Sequence, residues 1–357
     1  MAKILYSGDP LRYPYPGLPM GVANEMSDRA SQDLRLVSDH YPGFREHVSA
    51  IHPAGDFEDF WEATARAAAA VRAAQCVGAD FEPRAAMHQD GWTEPDLGER
   101  LGPVARGEEA RHARDLLTSP PLVKSFGGRW MSFAGYTDEP GEFEPEHDVV
   151  ELVLARALAG VSRLVVKFTA RKTGVFTLFL SPDMTRDDIR DALIAGDRGW
   201  HLIRLAGVRD SLLIQDWIPM WFEYRLFIVD GALVSGAGCV EEFTPYHRAN
   251  PQVRFDDRVR ASRGNGIAAR ESTRVVSMPD LVDRYMRVGH QLAKLHAGTV
   301  VVDLAQTTHD QIVIVEMNSL PNAGLYASNT DAVYAAWARA RDRGYGYDVA
   351  PRVPLDR

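Results

Sequence analysis

Two apolar runs near the C-terminal end constrain the fold of this chain most. Val300-Val301-Val302-Asp303 is followed, after a short polar turn, by Ile312-Val313-Ile314-Val315-Glu316-Met317-Asn318. β-branched runs of this length, separated by a polar turn, read as two buried strands, each ending in oxygen-bearing side chains. Because side chains alternate across a strand, Glu316 and Asn318 share a face, and antiparallel pairing about residues 307–310 brings Asp303 beside them. Three hard oxygen donors held on strands suit magnesium, which keeps positions open for water and phosphate. The plainer alternative is that each acid ends its strand at the surface, the common fate of charged residues.

The rest of the chain must supply units for such a hairpin to pack in. Its 357 residues, 45% of them apolar, are enough for two or three units with cores of their own. The net charge of -9 opposes non-specific nucleic-acid binding, since a polyanion is repelled over most of such a surface. Cys76 and Cys239 are too few for a disulfide framework or a thiolate zinc site, so a reducing compartment, the cytoplasm, is expected. Residues 1–9 lack the apolar stretch of a secretory signal, and no run reaches about 18 uninterrupted apolar residues, so neither export nor membrane spanning is expected.

Residues 3–6 read as a first strand leading into a proline-punctuated loop. Phe57 to Cys76, with Phe60, Trp61, Thr64, Ala68 and Val71 at three- and four-residue spacing, reads as an amphipathic helix whose role is packing. Pro, Gly and charge over 82–121 place a boundary near 120. The next unit has a helix at about 148–159, a strand at Leu164–Phe168 and a partner strand at Val175–Leu180, after which Pro182 opens a helix. A further strand begins at Leu212, and Tyr224–Val229 with Ala232–Ser235 forms a hairpin around Asp230-Gly231. Pro279–Ala297 is helical and stops at Gly298. The expected division is 1–120, an N-terminal α/β unit with a role in substrate binding, then 121–214 and 215–357.

An aspartate on one strand, Glu-x-Asn on the next and the turn Ser319-Leu320-Pro321 resemble the magnesium signature of the ATP-grasp superfamily of carboxylate–amine ligases. The resemblance implies an α+β ATP-grasp fold, two lobes clamping ATP, with Glu316, Asn318 and Asp303 as Mg2+ ligands. It also implies a phosphate-binding lysine on an upstream strand before a glycine-containing loop, and Val165-Val166-Lys167 followed by Lys172-Thr173-Gly174 is similar to that arrangement. Lys124 matches the family's earlier nucleotide-contacting lysine. Leu213-Ile214-Gln215-Asp216-Trp217-Ile218-Pro219 resembles the hinge whose backbone reads adenine. Glu223-Tyr224-Arg225 resembles the acid-x-Arg strand, which puts Glu223 on the ribose and Arg225 at the phosphate or carboxylate end. One departure is that some relatives carry an arginine after the next strand, where this chain has Glu241 and Glu242; Arg248 and Arg254 are the basic residues that follow.

The sequence contains no His-Glu-x-x-His zinc motif, no Gly-x-Ser-x-Gly elbow and no Walker loop, which turns the reading away from zinc hydrolases and P-loop enzymes. The activity expected from the resemblance is an ADP-forming amide or peptide ligase that proceeds through an acyl phosphate on amino-acid-like substrates. The alternative is a phosphotransferase of the same fold that stops at phosphorylation. The partners expected are a small-molecule carboxylate and an amine, with no nucleic acid and no membrane; a homodimer is allowed but not demanded.

Overall fold

The computed structural model describes residues 20–44, 57–83, 95–96, 129–135, 148–168, 176–194, 212–248, 250, 252–261, 274–295, 298–318, 320 and 323–343. In chain order these form helices α1 (Met20–His40) and α2 (Phe57–Cys76), then the two-residue strands β1 (Glu82–Pro83) and β2 (Pro95–Asp96). β3 (Met131–Ala134), α3 (Val149–Leu158), β4 (Arg163–Phe168), β5 (Phe176–Phe179), α4 (Arg186–Ile194) and β6 (Leu212–Asp216) follow. The remainder comprises β7 (Met220–Val229), β8 (Ala232–Gly238), a 3-10 turn (Pro245–His247), β9 (Arg258–Arg260) and β10 (Val275–Ser277), then α5 (Pro279–Leu295), β11 (Thr299–Thr307), β12 (Ile312–Asn318) and α6 (Thr330–Asp342). The chain divides into two compact units, residues 115–219 and residues 1–114 with 220–357. The strand expected at 3–6 lies outside the described residues.

In the 115–219 unit, an antiparallel sheet in the order β3-β6-β4-β5 carries α3 and α4 on one face. Alternation decides the faces: Leu164, Val166, Leu212 and Ile214 enter the core with Val153 and Ile189. Val165, Lys167, Leu213 and Gln215 therefore occupy the opposite face. α3 starts where the Asp148 carboxylate accepts from the N–H groups of Val150 and Glu151, at 2.7 and 3.1 Å. α4 begins at Arg186 rather than at Pro182. Thr185 and Asp188 cap its first turn reciprocally, with Asp188 N–H donating to the Thr185 hydroxyl at 3.2 Å and the Asp188 carboxylate accepting from Thr185 N–H at 2.8 Å.

In the other unit the antiparallel order is β12-β11-β7-β8. The β7–β8 turn at Asp230-Gly231 has φ of 49° and 69°, the pair of positive angles that a two-residue hairpin with right-handed twist requires. One sheet face packs on α5, where Gly289 lies against Leu226 and Leu233. The other face buries Phe227, Val229 and Val301 beneath the alanines of α2 and Trp337 of α6. The alanine-rich sequence of α2 allows this close approach. α1 completes the layer through Ala30, Leu34 and Val37 with Trp61 and Tyr246.

Candidate functional site

Arg225 and Asp303 are register partners on the two central strands, β7 and β11, on the sheet face that α2 and α6 cover. Asp303 is not a strand-end acid: it sits in the middle of β11 and is fully buried. The Arg225 guanidinium grips it as a fork, Nε to Oδ1 at 2.7 Å and Nη2 to Oδ2 at 2.6 Å. Nη1 donates to the Gly324 carbonyl at 2.9 Å, and the Tyr326 ring covers the guanidinium at 4.9 Å. A Cβ on Gly324 would stand 3.1 Å from Nη1, so the missing side chain makes that contact possible.

Glu316 pairs in register with Asp303, and Asn318 with Val301. The Glu316 Oε1 lies 3.8 Å from Arg225 Nη2 and accepts from the Asn318 amide at 3.0 Å. The structure therefore brings Asp303, Glu316, Asn318 and Arg225 together. Glu223 joins them on the other side: its carboxylate, the Asp303 carboxylate and the Cys239 thiol offer ligand atoms all within 4.8 Å of one another. Burial pushes the Cys239 thiol well above its usual range, reinforced by Asp303 and Glu223, so it stays protonated and is a poor partner for a hard cation. Burial and Glu316 push the Asp303 carboxyl up while Arg225 pulls the other way. The net effect is a raised Asp303 pKa, although both its oxygens accept from the Arg225 guanidinium.

The row thus sets three carboxylates against one guanidinium, an excess of negative charge that suits a divalent cation. The donors fit magnesium in kind, all being oxygen once the Asn318 amide turns its carbonyl inward. Glu316 and Asn318 are the half-buried members, whereas Asp303 faces its arginine. Local backbone is irregular around them: β11 shifts register after Asp303 against β12 and after Leu304 against β7. Phe222, just before Glu223, and Tyr326, over Arg225, hold left-handed φ of 56° and 46°, unusual for bulky side chains.

Sequence reasoning assigns α2 a packing role only and misses two of its residues. Arg66 donates to the carbonyls of Leu320 and Ala323 at 3.1 and 2.7 Å and to Glu62 at 3.2 Å. Glu62 in turn accepts from Leu325 N–H at 2.9 Å. The segment after Glu316-x-Asn318 is fixed by these side chains and by Arg225. The available signal was a charged pair at i,i+4 on an otherwise apolar helix.

The remaining candidates belong to the 115–219 unit. Lys167 is half-buried on β4 opposite Leu213. Gln215 is fully buried. The Asp216 carboxylate is held by Arg156 at 2.6 and 2.7 Å, its carbonyl accepts from Arg129 Nε at 2.9 Å, and its N–H donates to Trp130. Trp217 N–H donates to the Arg163 carbonyl and its ring lies 4.8 Å from the Arg163 guanidinium. The N–H groups of Asp216 and Trp217 in the hinge segment are therefore engaged within this unit, and Ile218 follows half-buried. Lys124, Lys172 and Thr173 lie outside the described residues.

A family model for an ATP-grasp domain, the second family of its clade, matches residues 162–336. The chain carries an ATP-grasp domain. Its span takes in β4 with Lys167, the Glu223–Arg225 strand and the β11–β12 hairpin, and its fold class is α+β as expected. Three solved structures resemble the chain at low identity. Macrocyclase MdnC bound with precursor peptide MdnA from Microcystis aeruginosa is 11% identical, with a TM-score of 0.34, covering 66% of this chain and 64% of its own. D-alanine–D-alanine ligase from Bacillus anthracis complexed with ATP is 14% identical, with a TM-score of 0.37 and 66% and 70% covered. D-alanyl-alanine synthetase A from Vibrio cholerae is 13% identical, with a TM-score of 0.35 and 67% of each chain covered. The chain thus spans slightly under two thirds of the macrocyclase. No curated protein sequence matches it. Among the described residues no helix of the ATP-grasp protein is long and apolar enough to cross a membrane.

Proposed function

We propose that this ATP-grasp protein is an ATP- and magnesium-dependent carboxylate–amine ligase that releases ADP and forms an amide or peptide bond on amino-acid-like substrates. The observation that carries the reading is the oxygen-rich row of Glu223, Asp303, Glu316 and Asn318 around one buried arginine, on strands within the ATP-grasp domain. Glu316 and Asn318 would hold the magnesium, which when bound draws charge from the phosphates of ATP. Asp303 keeps Arg225 oriented, and Arg225 fixes the Gly324 carbonyl, so these two act by holding the site's floor and the segment after β12. Glu223 is suited to accept from ribose hydroxyls, and Lys167 to neutralise phosphate. The hinge at Gln215–Ile218 is the proposed adenine contact, through backbone groups other than the Asp216 and Trp217 N–H groups that the protein itself engages, and residues 1–120 are a proposed contributor to substrate binding.

In this reaction the substrate carboxylate oxygen attacks the γ-phosphorus in line; its bond to phosphorus forms as the bond to the β–γ bridging oxygen breaks, leaving acyl phosphate and ADP. A neutral amine then adds to the acyl carbon, loses a proton and expels phosphate. The experiment supplies magnesium-ATP with amino acids and short peptides, scoring ADP and the mass of any conjugate. Glu316→Gln is expected to lower ADP release at least about 100-fold, on the scale of losing a charged contact to transferring phosphate. Unchanged turnover in that variant would refute the metal assignment. ADP release with a phosphorylated substrate and no amine conjugate would replace the ligase by a phosphotransferase.

A further inference from the structure

A second charged cluster lies between α1, α2, the 3-10 turn and the start of α6. Arg72 of α2 reaches Asp33 of α1 at 2.5 Å and Asp331 of α6 at 2.8 Å, and the Tyr246 hydroxyl donates to Asp33 at 2.9 Å. Both carboxylates of the cluster are therefore taken up by Arg72. Two further arginines stand at its edges: Arg29, one helical turn before Asp33, and Arg248, two residues after Tyr246. Neither has a hydrogen bond or ion pair among the described residues, although Arg248 is only 4% exposed and its Nε and Nη1 are buried. Asp256, the next acid, is engaged by Arg258 at 2.6 and 2.8 Å.

A buried guanidinium without a partner carries a desolvation cost that folded proteins normally relieve by pairing. Here the neighbouring charge adds to that cost. Burial first, and then the like charge of Arg29, lowers the Arg248 pKa to about 10, with Asp331 and Asp256 offsetting only part. The sum over Arg29, Arg72, Arg248, Asp33 and Asp331 is three cations against two anions, one positive charge in excess. Donors without acceptors, in surplus positive charge, match an oxyanion with several lone pairs.

We propose that Arg248 and Arg29, at the edges of this cluster, form a binding site for an oxyanion group, a carboxylate or a phosphate. The site uses none of the residues assigned to magnesium or nucleotide, so it stands or falls separately from the ligase reading. A phosphate-bearing ligand and a carboxylate share this chemistry and are separated by the probe.

The test follows thermal unfolding of the full chain in inorganic phosphate, acetate or chloride at matched ionic strength. Wild-type protein is expected to melt higher in phosphate than in chloride; a like response to acetate assigns the site to carboxylates, and its absence to phosphate groups. Arg248→Met removes the unpaired buried charge while keeping volume, so it is expected to melt higher than wild type in chloride and to lose the anion response. Arg29→Gln, at a half-buried position, should fold normally and need roughly tenfold more phosphate for the same shift. An anion response retained in Arg248→Met, or no difference among the three salts in wild type, would overturn the proposal. A lower melting temperature for Arg248→Met in chloride would also count against it, because that is the behaviour of a merely structural arginine.

Discussion

Arg225 shows how much one buried side chain organises. It holds Asp303 by two hydrogen bonds and Gly324 by a third, beneath Tyr326. Removing one member of such a pair strands the other charge away from water, which costs about 3–5 kcal/mol, whereas removing both leaves an apolar gap and no orphan charge. Arg225→Met and Asp303→Asn are therefore each expected to be destabilised on that scale in urea unfolding, and the double variant by clearly less than the sum. Additive losses would mean the two side chains do not act as one unit. Asp303 was legible in the sequence through strand alternation and the turn at 307–310, and Arg225 through its resemblance to the acid-x-Arg strand, but neither signal gave their pairing. Glu62 and Arg66 were not legible, because their partners Leu320, Ala323 and Leu325 lie more than 250 positions along the chain.

Whole elements were readable where their signals are local. The Asp230-Gly231 hairpin and helix α5 stopping short of Gly298 follow from turn and cap chemistry. Where a proline competed with a capping box the start of α4 moved four residues on, since the Thr185–Asp188 exchange satisfies helix N–H groups that Pro182 cannot. Close approach between elements was not readable at all. Gly238 ends β8 against β9, and a Cβ there would stand 2.2 Å from the Arg258 carbonyl oxygen and 3.0 Å from Val259 Cα. Both neighbours are backbone, so β9 must shift as a unit. Gly238→Ala is expected to lose about 1–3 kcal/mol, as overpacking does. The Val259 and Val276 amides, on the paired β9 and β10, should exchange faster than those of β11; unchanged exchange at both would show that the contact yields without cost.

On the scale of the whole molecule, α1 and α2 belong with residues 220–357, and the 3-10 turn is one of the joints. Tyr246 meets the Trp61 ring edge-on at 6.0 Å, and the next residue, His247, stacks on Phe243 at 5.5 Å. Composition cannot reveal such a joint, because alanine offers no specific partner and the Tyr246–Trp61 contact spans nearly two hundred residues. The joint makes stability depend on pH. His247 Nδ1 accepts from Thr244 N–H at 2.9 Å, which requires that nitrogen to be unprotonated. Burial, and then the nearby Arg258, lowers its pKa from 6.5 to about 4. Because the folded pKa is the lower one, the unfolded chain binds more protons between these values and stability rises with pH across them. The contribution is fully present above pH 6.5, falls as the pH drops, and is lost below about 4. A shift of this size corresponds to roughly 3 kcal/mol. Replacing His247 by Gln removes the titration and adds an offset that does not vary with pH. Urea unfolding of the two proteins should therefore give a stability difference that is constant above pH 7 and moves against wild type between pH 6.5 and 4, by an amount on that order. Parallel curves through that window would mean that the ring is already reached by water and that protonation does not loosen the joint.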